Sequence, residues 1–315
     1  MIKGLAITPP ILGRISIGRV VEKNGKRLPE KDDQFTITSQ VQNREGWINH
    51  PIDEELRKAS PNGKIRSIPV RLLFNDPDLN LRAEYSLFDR QSGRPLCVGN
   101  GETCRRYTAS GVQVLPCPSP DLCELAKGGQ CKPYGRLNVV LGDDDELGTF
   151  IFRTTGFNSI RSLAARLSYY QAVSGNLLAC LPLELRLRGK STTLSHRSAI
   201  YYVDLTIREG LTLVVAIAEA KQNDTRRKAG GYDQAALDAA AIQGFGNGTF
   251  EHNDEEISEI VDEFFPADEG ENRRGNAAAD TSVGSKLKPS LVQKLDKKVV
   301  DLNGLATSSS TVFDH

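Results

Sequence analysis

The chain has 315 residues, 39% hydrophobic and 25% charged, with 40 basic and 40 acidic side chains and a net charge of zero. That is enough for one large globular domain, and no run approaches the ~20 apolar residues of a membrane span. The neutral total excludes a partner chosen by bulk charge, but it hides a basic middle and an acidic later segment: residues 151–208 carry eight Arg or Lys against Glu184 and Asp204, and residues 251–271 carry ten Asp or Glu and no Arg or Lys.

In chain order, RISIGRVV at 14–21 and QFTITSQV at 34–41 alternate as strands do. With the NGK turn at 24–26 they read as a β-hairpin with a long loop. Pro51 opens a short helix over 53–60, closed by the PNG turn at 61–63. KIRSIPVRLLF at 64–74 and LRAEYSLFD at 81–89 are two more strands, joined by the turn NDPDLN. Residues 97–135 read as a long loop between strands of one sheet, followed by RLNVVLG at 136–142, the acidic turn DDDELG and TFIFRTT at 149–155. The period then changes. Ile160, Leu163, Ala164, Leu167, Tyr170 and Gln171 fall at helical spacing over 156–174, with Asn158 or Ser159 as N-cap and Gly175 as the stop. LLACLPLELRLRG and AIYYVDLTIRE are strands with one buried and one wet face, joined by KSTTLSHRS. Leu211 to Lys221 and Tyr232 to Gln243 are Ala-rich helices broken at Gly230-Gly231.

The expected fold class is α+β: a mixed, mainly antiparallel sheet with a few packed helices and a zinc-stabilised cysteine loop, in one domain over residues 1–250. Residues 251–315 are an acidic, then Lys-containing tail, read as largely disordered from about 266. Within it ISEIVDEFF at 257–265 carries apolar residues that suit a short docking helix.

Five of the six cysteines, Cys97, Cys104, Cys117, Cys123 and Cys131, fall between 97 and 131, separated by six, twelve, five and seven residues. The intervening Gly, Pro, Ser and charged residues bury too little to hold a shape, so the sulfurs must do it, as disulfides or as a metal site. The opening MIKGLAITPP lacks the apolar core and cleavage site of a secretory signal. The expected compartment is therefore cytoplasmic and reducing, where structural disulfides are rare and a four-thiolate zinc site is the better fit. Cys117, Cys123 and Cys131 lie in one short segment, where Gly128-Gly129 allows a tight return. Cys97 is the preferred fourth ligand, because it ends an extended run, with Cys104, followed by Arg105-Arg106, as the alternative. Cys180, in LLACLPLEL, reads as a small buried hydrophobe.

No catalytic constellation stands out, and the expectation is a protein that is not an enzyme and has no small-molecule substrate. Ser195-His196 are neighbours on a polar turn, which rarely makes a nucleophile and its base. Glu219-Ala220-Lys221 matches a nuclease fragment but falls on a helix end, and Asp143, Asp144 and Asp145 read as a solvated turn. Nucleic-acid binding is the competing expectation. Arg186, Arg188 and Lys190 on one strand, with Arg161, Arg166, Tyr169 and Tyr170 on the helix, supply phosphate and stacking groups; the plain alternative is a wet face with Arg stems lying over apolar atoms.

The block from Cys97 to Glu209 resembles the recombination directionality factors of phages and mobile elements, the partners of large serine integrases. The resemblance rests on the C-x-G element at Cys97, the pattern Pro116-Cys117, Cys123, Cys131-Lys132, the strand opening GRL at Gly135, FRTTGFNSIRSL at 152–163 and the LPLELRLRGK strand. It covers roughly residues 10 to 220, leaves the tail out, and makes Cys104 extra to the pattern. It implies a regulatory protein of a bacterial host cell that binds a serine integrase, with DNA contacted directly or through it, and that favours excision without a catalytic residue. Arg105, Arg106, Arg161 and Arg166 with the Arg186-Arg188-Lys190 strand are the expected binding surface, and zinc the expected structural cofactor. Deleting the residues from 266 onward should leave the melting temperature of the domain nearly unchanged, and limited proteolysis should remove that tail first.

Overall fold

The computed structural model describes residues 9–23, 26–43, 46–142, 147–191, 199–245 and 264. The acidic turn at 143–146, the polar turn with Ser195-His196 and the tail apart from Phe264 lie outside them. The chain divides into compact units Met1–Ala267 and Asp268–His315.

Among the described residues twelve strands form two sheets. The larger takes β1 (Ile11–Lys23), β2 (Lys26–Asn43), β3 (Gly46–Asn49), β5 (Leu81–Phe88), β6 (Pro95–Gly99), β7 (Thr103–Thr108), β8 (Gly111–Pro116), β9 (Lys132–Val139) and β10 (Thr149–Thr154) in the order β3-β2-β1-β10-β9-β5-β6-β7-β8. Among the described residues β1 and β10 run parallel and the other pairs of this sheet are antiparallel. The smaller sheet has the order β12-β11-β4, from β4 (Ser67–Val70), β11 (Leu183–Ser191) and β12 (Ala199–Ile207). An isolated bridge, Arg71 to Val140, ties the two together.

The first hairpin has no long loop. Pairing runs from Gly13↔Ser39 to Lys23↔Lys26, with a register shift between Ile17 and Arg19, because backbone pairing recruits the charged RLPEKDD stretch that lacks strand propensity. The stretch 64–74 contributes only four strand residues, and they join the second sheet. Leu72, Leu73 and Phe74 instead pack inward as irregular chain. The turn after them holds a one-turn helix, α2 (Pro77–Asn80), N-capped by Asp76. The larger correction concerns residues 97–116, expected as loop. They form most of three strands, β6 to β8, which extend the sheet outward as a meander; only 117–131 is loop.

The helices follow the sequence more closely. α1 (Pro51–Ala59) starts from His50, whose Nδ1 accepts from the Ile52 N–H. Within it Asp53, fully buried, accepts from the Ile37 N–H at 2.8 Å and from Arg57 Nε at 2.6 Å. α3 (Phe157–Ser174) ends at Gly175 in the left-handed conformation, as its spacing indicated. Its N-cap is Gly156 with no side-chain bond, and neither Asn158 nor Ser159 caps it: Ser159 is buried and bonds the Val203 N–H instead. Ala164, expected in the core stripe, is exposed. α4 (Leu213–Ala229) and α5 (Gln234–Phe245) break at Gly230-Gly231, and α5 docks through Ala241 on Leu73, Phe74 and Leu79.

One core joins the layers. Ile15, Phe35, Ile37, Leu137, Val139, Phe150 and Phe152 from the large sheet meet Ile68, Leu183, Leu185, Val203 and Leu205 from the small one, with Leu163, Leu167 and Tyr170 of α3. α3 approaches β9 closely because residue 135 is glycine: a Cβ there would stand 2.8 Å from Ile160 Cγ1. Gly135→Ala should therefore cost about 1–3 kcal/mol in urea unfolding. Ile160→Ala should cost less in that background than in the native chain, since the clash and the cavity then offset each other.

Candidate functional site

The cysteine site is assembled by the outer meander. Asn100 closes the β6–β7 turn by accepting from the N–H groups of Glu102 and Thr103. Gly99 is required there, because a Cβ would meet Cys104 Cβ at 2.6 Å. Pairing sets Cys97 opposite Leu87 on β5 and opposite Arg106 on β7. The loop then returns through a 3-10 turn at Glu124–Ala126, where the Gly129 N–H bonds the Ala126 carbonyl at 3.0 Å and both Gly128 and Gly129 adopt positive φ.

The result is a small cavity of about 10 Å³ lined by Cys97, Cys117, Cys123 and Cys131, with Tyr85, Leu87, Arg106 and Ala126 as walls. They are the three cysteines of the 117–131 segment together with Cys97, the preferred fourth. Cys104 does not line it; it is buried beside it, with Sγ 3.8 Å from the Pro116 carbonyl. Among the described residues, no three His, Cys, Asp or Glu side chains are drawn into a coordination arrangement, so the thiols share one cavity without closing on a common point. All six cysteines are free. Burial, then the neighbouring sulfurs, push the Cys131 thiol up to about 12. Burial and Cys97 push Cys104 up to about 11. A hydrogen bond with Cys97 raises Arg106 above its ordinary value.

The basic residues divide into two groups. Arg105 and Arg106 belong to β7, half-buried, with Arg106 turned to the cysteine cavity. The others gather where α3 crosses β11 and β12. There Asp204, 4% exposed, accepts from Ser162 Oγ at 2.9 Å, Arg166 Nε at 3.2 Å and Arg188 Nε at 3.2 Å. Glu184, 2% exposed, accepts from Arg186 Nε at 2.9 Å, Ser67 Oγ at 2.9 Å and the Glu209 N–H at 3.1 Å. Lys190 reaches Asn158 Oδ1 at 2.7 Å. Arg161 is exposed on α3.

The second face of the β11–β12 hairpin is thus not simply wet. It holds two buried carboxylates on which Arg166, Arg186 and Arg188 converge. Burial pushes the Asp204 carboxyl up, and the bonds from Arg166, Ser162 and Arg188 more than reverse this, leaving it below its ordinary value. Glu184 is lowered in the same way by Arg186, the Glu209 N–H and Ser67 against the opposing effect of burial. Sequence reading missed these anchors, although an acid inside each of the apolar runs LEL and VDL was the available signal. Tyr170 is in the core, leaving Tyr169 as the exposed ring of the pair.

The remaining candidates have structural places. Cys180 is half-buried, receiving Arg227 Nη1 at 3.6 Å. Glu219 and Lys221 lie within α4 and not at a helix end. Among the described residues no helix is long and apolar enough to cross a membrane.

A family model described as Gp3-like, recombination directionality factor-like, matches residues 12–208, which span both the cysteine cavity and the Asp204 cluster. Comparison with curated proteins and with solved structures gives no match.

The acid cluster makes a pH-dependent contribution to stability. A carboxyl held below its ordinary value, 3.8 for Asp204 and 4.5 for Glu184, stabilises fully above that value and loses its contribution as pH falls through the lowered one. Asp204→Asn should be less stable than the native chain by about 1–3 kcal/mol at neutral pH. The gap should narrow as the pH of thermal melts is lowered toward about 3; a gap constant with pH would assign the cost to packing.

Proposed function

This chain belongs to the Gp3-like, recombination directionality factor-like family, and from that premise we propose that it is a zinc-containing regulator of phage or mobile-element recombination. It binds a serine integrase and favours excision. The observation that carries the zinc assignment is the convergence of Cys97, Cys117, Cys123 and Cys131 on one cavity. Four sulfur donors of one type suit a closed structural zinc site, and the apolar walls Leu87 and Ala126 keep the cavity small. Zinc held by these four cysteines would supply no reaction; it would tie β6, the 117–123 turn and the start of β9 together. The Cys131 thiol, held high by burial and by the neighbouring sulfurs, would be relieved when a divalent cation takes its thiolate form.

The protein acts by contact and not by turnover. A directionality factor shifts an integrase only as far as it binds one of its conformations more tightly than the other. A cross-linked loop loses less entropy on docking, so a metal in this cavity raises affinity without touching the partner. The nucleic-acid reading draws less support. Arg166, Arg186 and Arg188 pair with Asp204 and Glu184, although the Arg166 and Arg188 side chains stay 43% exposed, and Arg161 is exposed on α3.

Purified protein should carry roughly one zinc per chain. Cys117→Ser should lose it while Cys104→Ser keeps it. With the cognate integrase and hybrid attachment sites, excision should rise with dose and saturate at a stoichiometric ratio, and Cys117→Ser should need more protein for the same effect. If trace amounts suffice, or recombination is indifferent while the protein coats random DNA with log-linear salt dependence, the regulatory reading fails.

A further inference from the structure

Phe264 is 1% exposed, although the acidic segment before it offers few apolar residues. Its ring sits edge-on against Phe88 at 4.5 Å and against Tyr134 at 5.0 Å, and those two rings stand 5.9 Å apart. The three form a cluster separate from the main core. Lys132 completes the site: its Nζ donates to the Phe264 carbonyl at 2.6 Å and lies 6.0 Å from the ring centre. Strand alternation puts Lys132 and Tyr134 on the face of β9 opposite Gly135, Leu137 and Val139, so this cleft lies on the reverse of the sheet from the α3 core.

We infer that the cleft between Phe88 and Tyr134 is a recognition site for a phenylalanine within an acidic segment, and that this chain closes it in cis with Phe264. Three features point there. Phe88, Lys132 and Tyr134 fall within the family-matched span, whereas Phe264 falls outside it, so receptor and occupant come from separate parts of the chain. The contact combines aromatic edges with a lysine on a backbone carbonyl, an apolar cleft with one polar group that fixes the orientation of its occupant. The occupant is preceded by Asp262-Glu263 and followed by Phe265, giving the segment charge opposite to that of Lys132. A tethered segment is present at about millimolar effective concentration, so a protein presenting the same chemistry meets a site whose open fraction sets its apparent affinity.

The inference stands without the integrase and is tested without it. The probe is a fluorescent peptide of residues 257–267, titrated into the full chain and its Phe264→Ala variant. The variant should bind the peptide, and the native chain should bind it at least about tenfold more weakly. Adding Tyr134→Ala to Phe264→Ala should abolish binding. Equal binding by the two chains, no binding by the variant, or binding indifferent to Tyr134→Ala would each overturn the proposal. Should Phe264→Ala fail to fold, a protease site placed between residues 248 and 256 of the native chain tests the same point. After cleavage the released fragment should stay associated and then exchange with the labelled peptide. Loss of the fragment at every concentration, or retention without exchange, would overturn it.

Discussion

Along β9 successive side chains point to opposite faces of the large sheet, and nearly every position is committed. Leu137 and Val139 enter the common core. Gly135, on the same face, lets α3 approach until Ile160 sits over the strand. On the reverse face Tyr134 and Lys132 hold Phe264, and Arg136 reaches Glu84 on β5 at 3.5 Å. Just before the strand, Cys131 turns into the cysteine cavity. Because side chains alternate with a period of two, a slip of one residue would exchange the two sets and lose both. The register of this strand is the constraint under which the helix, the cysteine loop and the aromatic cluster can coexist.

The second organising feature is electrostatic. Three arginines that look from the chain like a basic surface are the counter-ions of two acids buried on the small sheet, Asp204 beside α3 and Glu184 beside β4. Asp204 links α3 to β11 through Arg166, Ser162 and Arg188, while Glu184 links β4, β11 and the end of β12 through Ser67, Arg186 and the Glu209 N–H. A buried carboxylate without such partners would be strongly unfavourable, which explains why the arginines stay. Positive charge available for a partner is therefore smaller than the residue count of this region suggests.

The cysteine cavity and the aromatic cleft share a strand but face opposite ways. Cross-linking Cys131 would fix the start of β9, and with it Lys132, one residue on. One face of the family-matched body thus carries the four thiols of the cysteine cavity, and the other is covered by Phe264.

Local pattern alone carried much of this. The α3 stripe and its Gly175 stop, the strands β9, β10, β11 and β12, and the break between α4 and α5 were all legible, because periodicity and turn chemistry act over a few residues. The strands β6 to β8 were not, since their short runs lie among turn residues and become strands only when β5 offers an edge to pair with. Nor were the partners of Arg166, Arg186 and Arg188, because Asp204 and Glu184 meet them across elements that only folding brings together. Phe264 shows the limit most plainly. Its segment announced that it could dock, but the place lies 132 residues back along the chain, at Lys132, and only the register of β9 decides that Tyr134 waits beside it.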